Sequence, residues 1–360
     1  MITSHEEMTT RATSISITQA VEAYLENIAR SRSKRTGKIY RTGMAVFLKM
    51  LNDQDINVNK TGIDQLSENA VSQFIEYLET ADLEALREKK GEETDKDTKK
   101  TSAEGYAVAT EKLYLVALSR FYKYLTAQGI KDMNLPRVEL IIQSNSRKAG
   151  RRLPQFPVDQ IKQVLVFVEA LNIQATEDHV DLLCNLRDRA LILTLADTGL
   201  RIHEACKLQR GNIDLSEGQA LLIGKGNQEA LVRFSTRSIA AIRDYLRERA
   251  KLDGAAHKQL SLLPVFSRHD RAAGTKIKPI STTTGRAIIS RRVTEAIGEG
   301  TEWQITPHTF RHYFVTTVLR AKGNLKMAQD LARHKSITST QIYAHLSNDE
   351  LDQGYHDVFG

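Results

Sequence analysis

Two histidines, His308 and His312, bracket Arg311 at the start of the apolar run HTFRHYFVTTVL, residues 308–319. Their H-x-x-x-H spacing is that of a zinc pair on one helix face, of an acid/base pair, or of two ordinary polar residues. A zincin needs Glu after the first histidine, where this chain has Thr309. Arg311 on the same face would also set a fixed cation beside a dication. Thr306-Pro307 reads as an N-cap followed by proline in the first turn, so His308, Arg311 and His312 fall near a helix N-terminus at i, i+3 and i+4. Arginine and free backbone N–H groups both favour an anion, and a phosphate fits this stretch better than a metal.

A phosphate site needs further cations, and a reaction on it needs a nucleophile. DTGLRIHEACKL places Arg201 just after Gly199, where one helix ends and the next begins, with Glu204 three residues further on. Lys225 lies in GKGNQE, which lacks the GxxxxGK[ST] of a P-loop. LARHKSITSTQIYAHL holds His334 and, nine residues on, Tyr343. Taken singly, Arg201 reads as a capping or surface arginine, Glu204 as half of a surface ion pair, and Tyr343 as a half-buried core residue.

Together, in the order Arg201, Lys225, His308-x-x-Arg311, His334, Tyr343, the set resembles the catalytic residues of the tyrosine site-specific recombinases, the phage integrase, Xer and Cre family. The resemblance is sharp from about 190 to 346 and rests on TGLRIHEACKL, HTFRHYFVT and LARHKSITSTQIYAHL. Arg333 departs from it, since many members carry glycine before the second histidine; the expectation is that a helix tolerates arginine there. The resemblance implies that Tyr343 attacks a DNA phosphodiester to leave a 3′-phosphotyrosyl link and a free 5′-hydroxyl. Another strand's 5′-hydroxyl then reverses the step, without ATP, metal or cofactor. Arg201 and Arg311 would clamp the non-bridging oxygens, and Lys225 would protonate the leaving 5′-oxygen. His308 would be the general base, His334 would donate to a phosphate oxygen, and Glu204 would orient His308 or Arg201. His312 is expected to make structural hydrogen bonds.

These residues need elements to position them, and the chain shows which. Apolar residues at 17, 20, 21, 24, 25 and 28 make a helical stripe. Further helices are expected over 34–51, after an N-cap at Ser67, and over 102–129. They form a helical core-binding (SAM-like) domain, 15–132, interrupted by the charged insertion 82–101 and preceded by a disordered N-terminus, 1–14. A basic linker, 133–157, leads to a catalytic domain, 158–360, that ends in the tail 347–360. Within it QALLI and ALVRF read as two strands, and the rest as helix. The fold class is therefore mainly α with a small antiparallel sheet in the catalytic domain, arranged by resemblance as a two-domain DNA clamp. By the same resemblance the tail docks on a neighbouring protomer, giving a homotetramer on two DNA sites.

Composition agrees with a polyanion partner without proving one. The 51 Lys and Arg against 44 Asp and Glu give a net charge of +7. Basic residues concentrate in RSRSKRTGKIYR (30–41), in SRKAGRR (146–152) and among the arginines of 286–292. Lys34, Arg35, Lys38, Arg41, Arg151 and Arg152 are the candidate DNA contacts. No stretch approaches the ~18 consecutive apolar residues of a membrane span, and there is no secretory signal pattern. The only cysteines, Cys184 and Cys206, form no CxxC, so a reducing cytoplasm is the expected home. Rival readings are a type IB topoisomerase, which shares the chemistry, a DNA-bridging or regulatory protein of the same fold, and, more distantly, a zinc hydrolase.

Overall fold

The computed structural model describes residues 15–81, 105–147, 157–171, 179–223, 229–255, 258–270, 277–301, 304–334 and 356. The chain divides into two compact units, 1–152 and 153–360. Among the described residues no helix is long and apolar enough to cross a membrane.

The first unit is helical. Ser16 caps α1 (Ile17–Ser31) and exchanges hydrogen bonds with Gln19, and the six stripe residues 17, 20, 21, 24, 25 and 28 are all buried. Ser33 caps α2 (Lys34–Asp53), which buries Tyr40, Met44, Phe47 and Leu51 and exposes Lys34, Arg35, Lys38 and Arg41. The i, i+4, i+7 spacing of residues 34, 38 and 41 puts three of these cations on one exposed face. α3 (Asn69–Thr80) and α4 (Val108–Ala127) complete the core, and the Tyr24 hydroxyl donates to the Ala117 carbonyl at 3.0 Å.

Three expectations change here. Ser67 does not cap α3: Glu68 precedes the helix without a side-chain cap bond, and the Ser67 carbonyl instead accepts from the Tyr122 hydroxyl at 2.9 Å. α4 begins at Val108, because the Tyr106 N–H pairs outside the helix with the Leu78 carbonyl at 2.7 Å. The segment expected to be linker from residue 133 contains α5 (Leu135–Asn145), capped by Asn134 and opened by Pro136. Val138, Ile141 and Ile142 of α5 pack into the first core, so these residues are not a free linker. Just after α5, the fully buried Glu111 accepts from the Arg147 backbone at 3.2 Å and from its Nε at 2.8 Å, anchoring the chain.

In the second unit α6 (Val158–Glu169) is followed by α7 (His179–Thr198), whose Leu186, Ala190, Leu191, Ile192, Leu193 and Leu195 are buried almost all round. A helix apolar on every side is one that other elements must surround; α9 (Thr236–Glu248) and α12 (Pro307–Lys322) pack on it. α8 (Ile202–Lys207) turns into a sheet of β1 (Ile213–Asp214), β2 (Gln219–Ile223) and β3 (Glu229–Arg233). The sheet is antiparallel in the order β1-β2-β3, with Leu221 opposite Leu231. The sequence shows two of these strands; β1, two residues long, has too little pattern to read. α10 (Ala250–Ala255), α11 (Thr282–Ile297), α12 and α13 (Leu325–Ala332) complete the unit. α11 lies close on α8: a Cβ on Gly285 would come within 2.8 Å of Ile202 Cδ1.

Candidate active site

The N-terminus of α12 forms as its sequence requires. Thr306 accepts from the Thr309 N–H at 3.4 Å, Thr309 Oγ1 accepts from the Thr306 N–H at 3.0 Å, and Pro307 occupies the first turn. Phe310, Val315 and Leu319 are buried, which fixes the helix's rotation. Burial of Phe310 alone stabilises by about 1.5–3 kcal/mol. His308 is left exposed at the mouth of the site, and Arg311 is drawn inside, 3% exposed. The His308 and His312 rings meet edge to face, 4.0 Å between centroids. Among the described residues no group of three or more His, Cys, Asp or Glu is placed to hold a metal ion.

Arg201 comes from the turn between α7 and α8, and that turn depends on Gly199. Gly199 has φ +59°, and a Cβ there would lie 2.5 Å from the Phe314 ring. Both the left-handed backbone and the contact require glycine. The Glu204 side chain then reaches back one turn: its Oε2 accepts the Arg201 N–H at 2.8 Å and its Oε1 accepts Arg201 Nη1 at 3.0 Å. Burial raises the Glu204 pKa, but the Arg201 N–H and the guanidinium groups of Arg333 and Arg201 outweigh it and hold the carboxyl below its ordinary value.

Among the described residues Arg311 touches no carboxylate. Its Nη1 donates to the Gly199 carbonyl, its Nη2 to the Ala332 carbonyl, and its Nε to His334 Nε2 at 3.2 Å. Burial, then the guanidinium groups of Arg201 and Arg333, push Arg311 down to about 9, against the pull of Glu204. Arg311 is still the charged species at neutral pH, so the shift expresses an unmet demand for an anion. Burial and then Arg311 and Arg201 also lower His308 below its ordinary value and hold His334 at about 4. Burial, His308 and Arg311 hold His312 at about 4. All three imidazoles are neutral at pH 7.

Arg333 corrects an expectation. It does not lie within a helix; it follows α13 at the C-cap with φ 56° and ψ 45°, in the left-handed region where glycine is the usual residue. That backbone costs a non-glycine residue about 1–2 kcal/mol. Its guanidinium approaches both the Glu204 carboxylate and the Gly199 carbonyl at 3.5 Å. A cavity of about 510 Å³ opens between α8, α11 and α12, where Arg201, Arg286, His308 and Arg311 line it.

Of the residues singled out in the sequence, Arg201, Glu204, His308, Arg311 and His334 are thus brought together. Lys34, Arg35, Lys38 and Arg41 share an exposed stretch of α2 in the first unit. Lys225, Tyr343, Arg151 and Arg152 lie outside the described residues, as do 1–14, 82–101 and, apart from His356, the tail. Arg286 and Arg333 were not singled out. Arg286 stands in a basic stretch of sequence; the glycine that many family members carry where this chain has Arg333 is the sign of its left-handed backbone.

Residues 160–350 match the model of the phage integrase family. The chain belongs to that family. A tyrosine recombinase XerC of Pelotomaculum thermopropionicum is 32% identical over 255 residues, 70% of this chain and 75% of the relative. The XerC of Pediococcus pentosaceus is 31% identical over 243 residues, 68% of this chain and 73% of that one. The family's fold is seen in a XerH recombinase bound to its difH substrate, with a TM-score of 0.60 at 17% identity over 93% of this chain and 82% of the other. It is seen again in a lambda integrase dimer on a COC' core site, with a TM-score of 0.55 at 13% identity over 92% and 95%. As a tyrosine recombinase, the chain is an enzyme of DNA strand transfer, and its mainly helical fold with one small antiparallel sheet is that of the family.

Proposed function

We propose that this recombinase cuts and rejoins duplex DNA at a specific site through a 3′-phosphotyrosyl intermediate, with Tyr343 as nucleophile. The observation that carries the reading is that Arg201, Arg311 and Arg333 gather at one site where Glu204 pairs with Arg201 and Arg333, while among the described residues Arg311 bonds only to carbonyls and an imidazole. Such a cluster lacks an anion, and a phosphodiester bearing extra charge in its pentacoordinate transition state supplies one. The arginines then do what a metal ion does in other phosphoryl transfers.

His308, neutral at pH 7, takes the Tyr343 proton and returns it in the second step; an ordinary tyrosine, with a pKa of ~10, needs that help. Lys225 protonates the leaving 5′-oxygen, His334 donates to a phosphate oxygen, and Glu204 holds Arg201. The basic face of α2 (Lys34, Arg35, Lys38, Arg41) and Arg151 and Arg152 contact DNA phosphates, the first unit and the catalytic unit gripping the duplex as a clamp. Neighbours in the family were captured on DNA recombination sites, which supports a DNA partner here. The protein acts in the cytoplasm as a homotetramer on two sites, joined by exchange of the tail.

The test is a nicked suicide substrate carrying the native site. Wild-type protein is expected to give an EDTA-resistant protein–DNA adduct on a denaturing gel, and Tyr343→Phe none. Binding to that site without any adduct would sink the reading.

A further inference from the structure

Resting on the reading above, we propose that Arg333 is a positioning residue, which holds the Glu204 carboxylate so that the Arg201 guanidinium is free to engage the phosphate. The Glu204 carboxylate is held beside Arg201 because its Oε2 accepts the backbone N–H that opens α8, at 2.8 Å. The carboxylate's charge is a hazard to the site. Its Oε1 lies 3.0 Å from Arg201 Nη1, an i,i+3 ion pair that competes with any phosphate for the same guanidinium. Arg333 Nη2 stands 3.5 Å from Oε2, the other oxygen of the same carboxylate. With Arg333 in place, Glu204 retains a cation when Arg201 turns to the substrate.

Two further features place Arg333 in this role rather than in simple packing. Its Nη2 also approaches the Gly199 carbonyl at 3.5 Å, the same oxygen that accepts from Arg311. Arg333 therefore touches an acceptor that anchors each of the two phosphate-clamping arginines. It is also badly placed for a structural residue. Its backbone is left-handed, its side chain is 13% exposed, and its Nε is buried without a partner among the described residues. Glycine would satisfy the backbone without any of this, so the guanidinium itself is what the position supplies.

The experiment uses the full chain and three variants, Arg333→Gly, Arg333→Lys and Glu204→Gln, with the double variant Arg333→Gly/Glu204→Gln. Thermal unfolding, DNA affinity and the single-turnover rate of adduct formation on the suicide substrate are measured for each. Arg333→Gly is expected to melt no lower than wild type, since glycine suits φ 56°. It should bind DNA normally but form adduct roughly tenfold more slowly. Arg333→Lys should recover part of that rate. In the Glu204→Gln background the glycine substitution should change the rate no further, because the charge it manages is gone. A wild-type rate for Arg333→Gly, or losses that multiply in the double variant, would overturn the role; so would a rate loss that follows melting temperature. If the wild-type protein itself gives no Tyr343-dependent adduct, the recombinase reading falls and takes this role with it. A normal wild type beside an unaffected Arg333→Gly removes this role alone.

Discussion

The catalytic unit buries arginines in two places and treats them differently. Around Asp188, which is fully buried, every guanidinium touches a carboxylate. Arg187 donates to Oδ1 at 2.7 and 2.9 Å, and Arg291 and Arg292 donate to Oδ2 at 2.6 and 3.0 Å. Nearby, Arg249 and Arg210 both pair with the buried Asp253. Burial works against the charge of Arg187, yet Asp188 more than offsets it and raises the pKa. At the active site, burial works against Arg311 in the same way and no carboxylate contact among the described residues answers it, so its pKa falls. Paired arginines hold helices together; an arginine left among carbonyls is held ready for a ligand. Burial by itself does not tell these roles apart, whereas the position of the counter-charge does.

The largest effect expected from this contrast is on stability, at the paired site. Asp188→Asn removes the carboxylate that Arg187, Arg291 and Arg292 share between α7 and α11. Arg292 keeps Glu295, but the buried Arg187 has no substitute carboxylate among the described residues, and the change should cost about 3–5 kcal/mol in chemical denaturation. A loss below 1 kcal/mol would show that those arginines need no counter-charge either, and the comparison would collapse. Next comes Arg311→Lys at the ligand site, where lysine cannot fork between two carbonyls and a phosphate. Adduct formation should drop by about 10²–10³, some 2.7–4 kcal/mol of transition-state stabilisation, while stability falls by only about 1 kcal/mol. Equal damage to rate and stability would make Arg311 one more structural arginine.

How much of this contrast the sequence shows depends on distance along the chain. The α12 site is local: cap, proline, His308 and Arg311 fall within six residues, and helical spacing puts them on one face. Arg201 and Glu204 are equally local. The Asp188 network escapes because Arg291 and Arg292 lie about a hundred residues away and because NLRDRALILTL reads as an apolar helix interrupted by charge, with nothing to say where the charges end. Arg333 is hidden for a different reason. Arginine suggests a continuing helix, whereas the glycine usual there in the family marks the left-handed residue at which α13 stops. Asn134-Leu135-Pro136 opens α5, but the basic stretch that follows it gives the segment the look of a linker. Lys225 and Tyr343 rest on the family resemblance alone.

A free oxyanion should separate the two regions without any substitution. Inorganic phosphate bound among Arg201, Arg311 and Arg333 stabilises the folded state by mass action, about 1.4 kcal/mol at ten times its dissociation constant. The increment should vanish in Arg311→Lys and persist in Asp188→Asn. An equal increment in both variants would place the anion elsewhere on this basic chain.

The last effect is the most specific, because it reads the protonation of both regions at once. His312 and His334 at the active site titrate at about 4, and His269, beside Arg187 and Arg249 in the paired region, at about 3, with burial the largest cause in each case. Unfolded, all three return to about 6.5. Their folded values are depressed, so the unfolded chain binds more protons between pH 6.5 and 4. Stability is complete above that window and declines as pH falls through it. A bound phosphate alters only one region. Its charge favours protonated imidazole at His334, raises that folded value towards 6.5 and flattens the His334 share of the decline. His269 lies in a network that already has its carboxylates, and its hydrogen bond partner is the Tyr245 hydroxyl at 2.7 Å. Its share should be unchanged by phosphate and should disappear in His269→Gln. Stability measured by denaturation from pH 7 to 4.5, with and without phosphate, checks this. If phosphate flattens the curve equally in wild type and in His334→Gln, the anion is not seated beside Arg311, and the division between paired and waiting arginines loses its functional meaning.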